Sequence, residues 1–274
     1  MDIDVLGTLA VREQGICVTP TAPKPRQLLA LLALQADRAV PVDMLIEELW
    51  GAEPPRSARP TLQTYVLHLR ELIGGALERG GADRGSVRDV LVTVPGGYLL
   101  RRGEGTTDLL EFERLAGEGY RAMDAEDFPA AAGRLREALA LWRGSALAGV
   151  HAGPHLAAQI KRLEENRLCA LDQRIDAELR LGRHRELLAE LTVLVGRYPD
   201  HERLCGQYMT ALCRSGRRSE ALSAYQRLRT TLVRTLGLEP SAALRKLQRS
   251  ILLSGPQGVP AAAASGAGRL APVG

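Results

Sequence analysis

An internal repeat of 34 residues constrains the fold of this chain more than any other feature. Offsetting the sequence by 34 residues aligns small, charged and leucine positions, namely Ala177 with Ala211, Gly182 with Gly216, Arg183 with Arg217, Glu186 with Glu220 and Leu188 with Leu222. This period is typical of tetratricopeptide repeats, in which each helix pair buries one face against its neighbour. A third, weaker copy starts near Asp127. The repeat predicts helices over about 108–123, 128–142, 154–181, 184–197, 202–214, 218–235 and 241–253.

The first 102 residues follow a different order of elements. Alternating apolar residues predict short strands within 1–20, and apolar periodicity predicts helices over 26–36, 43–50 and 57–73. A linker over 74–88 follows, and then two strands within 89–102 joined at Pro95-Gly96-Gly97, which is a hairpin signal. Strands, three helices and a hairpin are the order of a winged helix-turn-helix, and the leading strands indicate its OmpR-type variant.

These patterns together predict a mainly α protein with a small β part. We expect an α+β winged-helix domain over 1–102 and an all-α, tetratricopeptide-like domain over 103–253. Residues 254–274 are rich in Ala, Gly and Pro and predict a disordered tail.

Composition excludes several classes of protein. Hydrophobic residues make up 45% and charged residues 25%, which is ordinary for a globular chain. Apolar runs stay short of the roughly 18 residues that a membrane span needs, and the start MDIDVLG does not resemble a signal peptide. The four cysteines show no paired spacing. We therefore expect a cytoplasmic protein with reduced thiols and no membrane partner.

The sequence offers little support for catalysis or metal binding. The motifs H-E-x-x-H, C-x-x-C, G-x-S-x-G and G-x-x-x-x-G-K-[ST] are all absent. His201 and Cys205 lie four residues apart and Cys213 eight further on, so they could share a helix face and bind zinc. Buried small thiols are the favoured interpretation. We expect no catalytic residue, no cofactor and no metal.

The helix predicted over 57–73 has one apolar and one basic side. On a helical wheel Leu62, Val66, Leu69 and Ile73 fall within about 60° of one another and form the side that packs. Residues 54–70 contain arginines but no acid, although residues 1–102 as a whole carry equal numbers of basic and acidic side chains. Arginine neutralises phosphates and can fork onto guanine, so this helix fits insertion into the major groove of DNA.

The candidate DNA contacts are basic and polar side chains on this helix, before the first helix and after the hairpin. They are Lys24, Arg26, Arg56, Arg59, Thr61, Gln63, Thr64, Tyr65, His68, Arg70, Arg101 and Arg102. An amphipathic helix with a solvated basic face is the alternative. A repeat-based interaction adaptor without DNA binding and a repressor on the same fold also stay open.

Several segments resemble one family when taken together. They are PKPRQLLALLAL (23–34), VDMLIEELWGAEPP (42–55), LQTYVLHLR (62–70), PGGYLL (95–100), EALALWRGSAL (137–147), LEENRLCALDQRIDAELRLGRH (163–184) and the stretch over 215–252. In order and spacing they resemble the Streptomyces antibiotic regulatory proteins, which combine an OmpR-type winged helix with a bacterial transcriptional activation domain.

The resemblance implies an activator of a biosynthetic gene cluster. Such proteins bind direct repeats in promoter DNA, commonly as a side-by-side pair of protomers, and contact RNA polymerase with its σ factor. It places Gln63, Thr64 and Arg70 on the recognition helix. Glu71 and Leu99 stand where the family often has arginine, which bears on the DNA sequence preferred more than on DNA binding itself.

Overall fold

The computed structural model describes residues 1–81 and 87–253. Its contacts divide the chain into two compact units, residues 1–173 and the residues from 174 onward. The predicted mainly helical fold with a small β part is confirmed. The predicted domain boundary after residue 102 lies inside the first unit and stays a prediction. The predicted disordered tail over 254–274 lies outside the described residues.

The first unit contains short strands, a winged helix-turn-helix and further helices. Its elements are β1 (Asp2–Asp4), β2 (Ala10–Glu13), β3 (Ile16–Cys17), α1 (Pro23–Leu34), β4 (Ala39–Pro41), α2 (Val42–Trp50), α3 (Ala58–Arg79), α4 (Val87–Val90), β5 (Leu91–Val94), β6 (Gly97–Leu100), α5 (Asp108–Asp124), α6 (Phe128–Ala140) and α7 (Pro154–Arg180), within which the division into units falls. The second unit continues with α8 (Leu188–Arg197), α9 (Glu202–Arg214), α10 (Arg218–Leu236) and α11 (Ala242–Leu253).

The predicted N-terminal strands form an antiparallel sheet in the order β1-β2-β3. Ile3 pairs with Val11, and both side chains are buried in the core of the first unit. The turn between β2 and β3 places Gln14 and Gly15 at φ 50° and 77°, a left-handed conformation that glycine adopts readily.

Helix α3 is longer than the sequence predicts. The stripe of Leu62, Val66, Leu69 and Ile73 is buried as expected. The stripe then continues through Ala76 and Leu77, so residues 74–79, predicted as linker, are helical. Burial of these apolar side chains offsets the weak helix propensity of two adjacent glycines.

The predicted hairpin belongs to a three-stranded sheet. Strands β5 and β6 pair antiparallel as expected. Strand β4, which the sequence pattern does not predict, pairs with the other side of β6. Gly96 turns the chain at φ 74°. A Cβ on Gly97 would collide with the backbone carbonyl oxygen of Val40, so β4 comes this close only because residue 97 is glycine.

Helices α5 and α6 pack closely where a glycine meets a leucine. Gly119 lies against Leu135, and a Cβ on Gly119 would overlap that side chain. Phe112 meets Trp142 edge to face at 5.5 Å in the adjoining core. Thr107 and Asp127 cap the two helices by accepting backbone N–H bonds.

The 34-residue repeat matches equivalent helix ends. Gly182 after α7 and Gly216 after α9 both have φ 79°, the left-handed conformation that ends a helix. The following helices differ, because α10 begins at Arg218 whereas residues 184–187 form turns and α8 begins at Leu188. The predicted helix over 184–197 is therefore too long at its start.

Candidate nucleic-acid interface

Helix α3 presents one continuous face to solvent. Pro60, Gln63, Thr64, Leu67 and Glu71 are exposed at helical spacing, on the side away from the buried stripe. We call these five residues the α3 face. Burial of the apolar stripe fixes which side of the helix is free, and a helix free on one side has the dimensions to enter a major groove.

Two arginines lie at the start of α3. Arg56 is exposed in the connection that precedes the helix. The Arg59 guanidinium lies 2.8 Å from a carboxylate oxygen of Asp43, and both side chains are largely exposed. A pair this exposed contributes little to stability, so Arg59 can exchange Asp43 for another anion at small cost.

Arg70 is engaged by the hairpin. Its Nε and Nη2 donate to the carbonyl oxygen of Leu91 at 3.2 and 2.8 Å, and Nη2 also donates to Thr93 Oγ1 at 2.7 Å. Burial lowers the pKa of the Arg70 guanidinium from its ordinary value. Arg70 thus joins α3 to β5 instead of lying on the α3 face, and its predicted direct contact with DNA stays a prediction.

The two basic residues of α1 also contact protein. The Lys24 ammonium donates to the carbonyl oxygen of Leu49 in the last turn of α2, where the helix dipole favours a positive charge. Arg26 is half-buried. A phosphate would have to compete with Leu49 for Lys24.

The remaining polar residues predicted on α3 are less exposed than Gln63 and Thr64. Tyr65 is half-buried and stacks on Trp50 of α2, with ring centroids 6.3 Å apart. Thr61 is half-buried. His68 is also half-buried, with Nδ1 3.9 Å from a carboxylate oxygen of Glu71. Tyr65 therefore helps to hold α3 against α2.

The wing is less basic than its sequence suggests. Arg101 is exposed, whereas Arg102 Nε lies 3.5 Å from a carboxylate oxygen of Asp37 and the Arg102 backbone N–H donates to the same carboxylate at 3.0 Å. The turn residues Pro95 and Gly96 are exposed but carry no charge. Leu99 is half-buried and pairs with Ala39 of β4. Arg101 is the wing cation best placed to meet a partner.

The sequence prediction omits Leu67, which lies within the α3 face. Its side chain is 57% exposed, one turn after Gln63 and one turn before Glu71. The same wheel that identifies the buried stripe puts Leu67 on the opposite side, so its position was available as a signal.

Sequence reasoning also missed two buried carboxyl groups that we call the polar junction, Glu48 and Asp108. Glu48 near the end of α2 is 2% exposed, and its carboxyl oxygens accept backbone N–H bonds from Gly153 at 2.6 Å, His155 at 2.9 Å and Leu156 at 3.0 Å. Gln27 Nε2 donates to the same carboxyl at 2.9 Å. Glu48 thereby caps the N-terminus of α7 and joins it to the helix-turn-helix.

Asp108 makes the second link of the polar junction. Its carboxyl oxygens accept backbone N–H bonds from Val5 at 2.9 Å and Leu6 at 3.0 Å, and Arg143 Nη2 donates at 2.7 Å. Burial raises the pKa of Asp108, and the N–H groups of Val5 and Leu6 oppose this shift. Asp108 therefore ties the start of α5 to the strand-rich N-terminus.

The zinc alternative finds no support in the geometry. His201 Nδ1 accepts from the Leu204 backbone N–H at 3.2 Å, so this histidine caps α9. Cys205 is buried as expected, and burial raises the pKa of its thiol to about 12. Within residues 1–81 and 87–253, no group of three or more His, Cys, Asp or Glu side chains is arranged to hold a metal ion.

Comparison with known proteins identifies the family to which the chain belongs. Two family models match the chain: transcriptional regulatory protein, C terminal, over residues 18–98, and bacterial transcriptional activator domain over residues 107–252. The regulatory protein DnrI of Streptomyces peucetius is 52% identical over 256 residues, which cover 93% of each chain. The chain belongs to the Streptomyces antibiotic regulatory protein family. As a member of this family it is a transcriptional activator, and the relatives' names indicate a regulator, not an enzyme.

Some relatives are longer, and this chain matches only part of their length. The regulatory protein AfsR of Streptomyces coelicolor is 40% identical over 92% of this chain but only 24% of its own length. The solved structure of Mycobacterium tuberculosis EmbR in complex with a low-affinity phosphopeptide superposes with a TM-score of 0.81 at 37% identity, covering 92% of this chain and 64% of EmbR. In the described part of the chain, no helix is long and apolar enough to cross a membrane.

Proposed function

We propose that this activator binds promoter DNA sequence-specifically, with the α3 face in the major groove and the β5–β6 hairpin as wing. The observation that carries the proposal is the α3 face itself, a solvent-exposed surface with hydrogen-bonding side chains, whose orientation is fixed by a fully buried apolar stripe. Arg56 and Arg59 precede this surface and supply positive charge where a helix entering the groove crosses the phosphates.

We further propose that residues 1–102 serve as the DNA-binding domain and residues 103–253 as the activation domain. By family resemblance the targets are direct repeats in promoters of a secondary-metabolite gene cluster, bound by two protomers side by side. The helical repeats would then contact RNA polymerase with its σ factor. A few kcal/mol of added contact is enough to raise promoter occupancy severalfold.

Charge limits how such a protein attracts DNA. Residues 1–173 carry 20 basic and 24 acidic side chains, so bulk charge does not draw this unit to phosphates. The binding must depend on the few cations around the α3 face. We therefore expect a salt dependence of affinity that corresponds to a small number of phosphate contacts, each contributing a slope of about −0.9.

The test is titration of the full chain against labelled duplexes from upstream of its own and neighbouring genes, over a salt series. Arg56→Ala with Arg59→Ala should weaken binding and flatten the salt slope by about 0.9 for each phosphate that is no longer neutralised. The matched control is Arg134→Ala with Arg136→Ala on α6, which should leave both quantities unchanged. Absence of any DNA complex at low salt would favour a protein-interaction adaptor.

Activation is tested separately by in vitro transcription from a bound promoter. Added protein should raise the amount of transcript made by RNA polymerase holoenzyme. A fall in transcript would indicate a repressor on the same fold.

A further inference from the structure

The centre of the α3 face is apolar although the residues around it are polar. Leu67 is 57% exposed, whereas Leu62 and Leu69 of the same helix are 1% exposed. Gln63 and Thr64 lie one turn before Leu67, and Glu71 one turn after. An aliphatic side chain is therefore surrounded by hydrogen-bonding groups on a surface that the proposed function directs at base edges.

Two arginines of α3, Arg59 and Arg70, lie at the margins of this face. Arg59 is paired with Asp43, and Arg70 makes three hydrogen bonds to Leu91 and Thr93 of the wing. To fork onto a guanine, Arg70 would have to give up those bonds. Glu71 adds a negative charge, which disfavours the electron-rich O6 and N7 atoms of guanine. The centre of the face is therefore poorly suited to reading guanine.

What the centre offers instead is methyl groups and a carboxamide. In the major groove the C5-methyl of thymine is the apolar feature among the base edges, and glutamine pairs with the N6 and N7 atoms of adenine. We propose that Leu67 is a specificity-determining residue that packs on a thymine C5-methyl, with Gln63 directed at an A·T pair beside it. This inference rests on the proposed DNA binding by the α3 face.

The test removes the methyl group alone. Sequences bound by the full chain are selected from a library of random 20-bp duplexes, and each thymine of the selected site is then replaced in turn by deoxyuridine. At one thymine of each bound repeat we expect the replacement to weaken binding about fourfold, the equivalent of one buried methyl group. In Leu67→Ala the same replacement should change affinity less than about twofold, because the apolar partner is already gone.

A matched leucine separates this effect from general loss of apolar surface. Leu110 on α5 is 48% exposed, and Leu110→Ala should retain the full deoxyuridine penalty. Because both leucine side chains are exposed, Leu67→Ala and Leu110→Ala should each have the melting temperature of the unchanged chain. Leu67→Arg should select sites with guanine at the position where the unchanged chain selects thymine.

The outcomes are distinct. Equal deoxyuridine penalties in the unchanged chain and Leu67→Ala overturn the role of Leu67 while DNA binding stands, as does a selected site in which no thymine methyl matters. Failure to select any duplex at low salt overturns the proposed function itself.

Discussion

The α3 face and the polar junction place acidic side chains in opposite environments within the same unit. Glu71 on the α3 face has a side chain that is 74% exposed, and its carboxylate lies 3.9 Å from Nδ1 of His68. Glu48 in the polar junction is 2% exposed and accepts three backbone N–H bonds within 3.0 Å. The Glu71 carboxylate is therefore free to accept hydrogen bonds from a binding partner, whereas the Glu48 carboxylate already accepts its hydrogen bonds inside the protein.

The difference separates two roles for charge in an activator. Exposed charges contribute at most about 1 kcal/mol to stability, so they are free to set affinity and sequence preference. Each buried donor left without its acceptor costs about 1–3 kcal/mol, so buried carboxyls set the relative position of the elements they join. Substitutions in the polar junction should change stability, and substitutions on the α3 face should change DNA binding alone.

The largest effect should come from Glu48→Ala. This substitution leaves the N–H groups of Gly153, His155 and Leu156 without their acceptor, so we expect the free energy of unfolding to fall by about 3 kcal/mol or more. Urea unfolding followed by circular dichroism measures the change. Neighbouring Glu47, whose exposed carboxylate lies 2.9 Å from His155 Nε2, is the control, and Glu47→Ala should cost less than about 1 kcal/mol. Equal losses in the two variants would contradict the claim that the buried carboxylate stabilises the fold more than the exposed one.

The next largest effect should come from Arg70→Ala, which should lower both the stability of the protein and its affinity for DNA. Removal of the hydrogen bonds to Leu91 and Thr93 frees the wing from α3, so stability should fall by about 1–2 kcal/mol and DNA affinity should fall with it. Thermal melting and a salt series of DNA titrations distinguish the two origins. If Arg70 also contacts a phosphate directly, the salt slope falls by about 1, whereas a role in holding the wing alone leaves the slope unchanged. Thr93→Val, which removes one acceptor, should show the same pattern as Arg70→Ala at smaller amplitude.

The comparison also explains what could be predicted from the sequence. The α3 face follows from local periodicity, because Leu62 and Val66 mark the buried side and everything opposite is exposed. The turn at Pro95-Gly96-Gly97 and the helix ends at Gly182 and Gly216 follow from backbone preferences of single residues. These signals are local, and the structure confirms the elements they indicate.

Contacts between distant residues could not be found in the same way. Glu48 and Leu156 are 108 positions apart, and Asp108 and Val5 are 103 apart. The sequence around an acidic residue on an amphipathic helix shows the same pattern whether its carboxylate faces solvent or caps another helix. For that reason the sequence indicated neither the bonds from Arg70 to the hairpin nor a role for Glu48. It also did not predict β4, which depends on the close approach of Gly97 to Val40.

Gln63→Ala, on the α3 face, should change DNA affinity without changing stability. Gln63 is exposed, so its removal should leave the unfolding free energy unchanged within about 0.5 kcal/mol. If its carboxamide reads a base, affinity for selected DNA should fall by about 1–3 kcal/mol, while affinity for unrelated DNA stays the same. Gln226→Ala on α10 is a matched exposed glutamine and should alter neither affinity. A loss of stability in Gln63→Ala would mean that this face is part of the packing.

The smallest effect should come from the charge at Glu71. Replacing this exposed acid with arginine removes a repulsion from phosphate and adds a cation, so non-specific affinity should rise and the salt slope should steepen by about 0.9. Glu71→Gln removes the repulsion without adding a cation. It should raise affinity without releasing a further counterion, so the salt slope should stay the same. The readout is the slope of the logarithm of affinity against the logarithm of salt concentration on unselected duplexes. The control is Glu113→Arg on α5, an exposed acid away from α3, and an equal response there would show that Glu71 acts only through net charge and does not face the duplex.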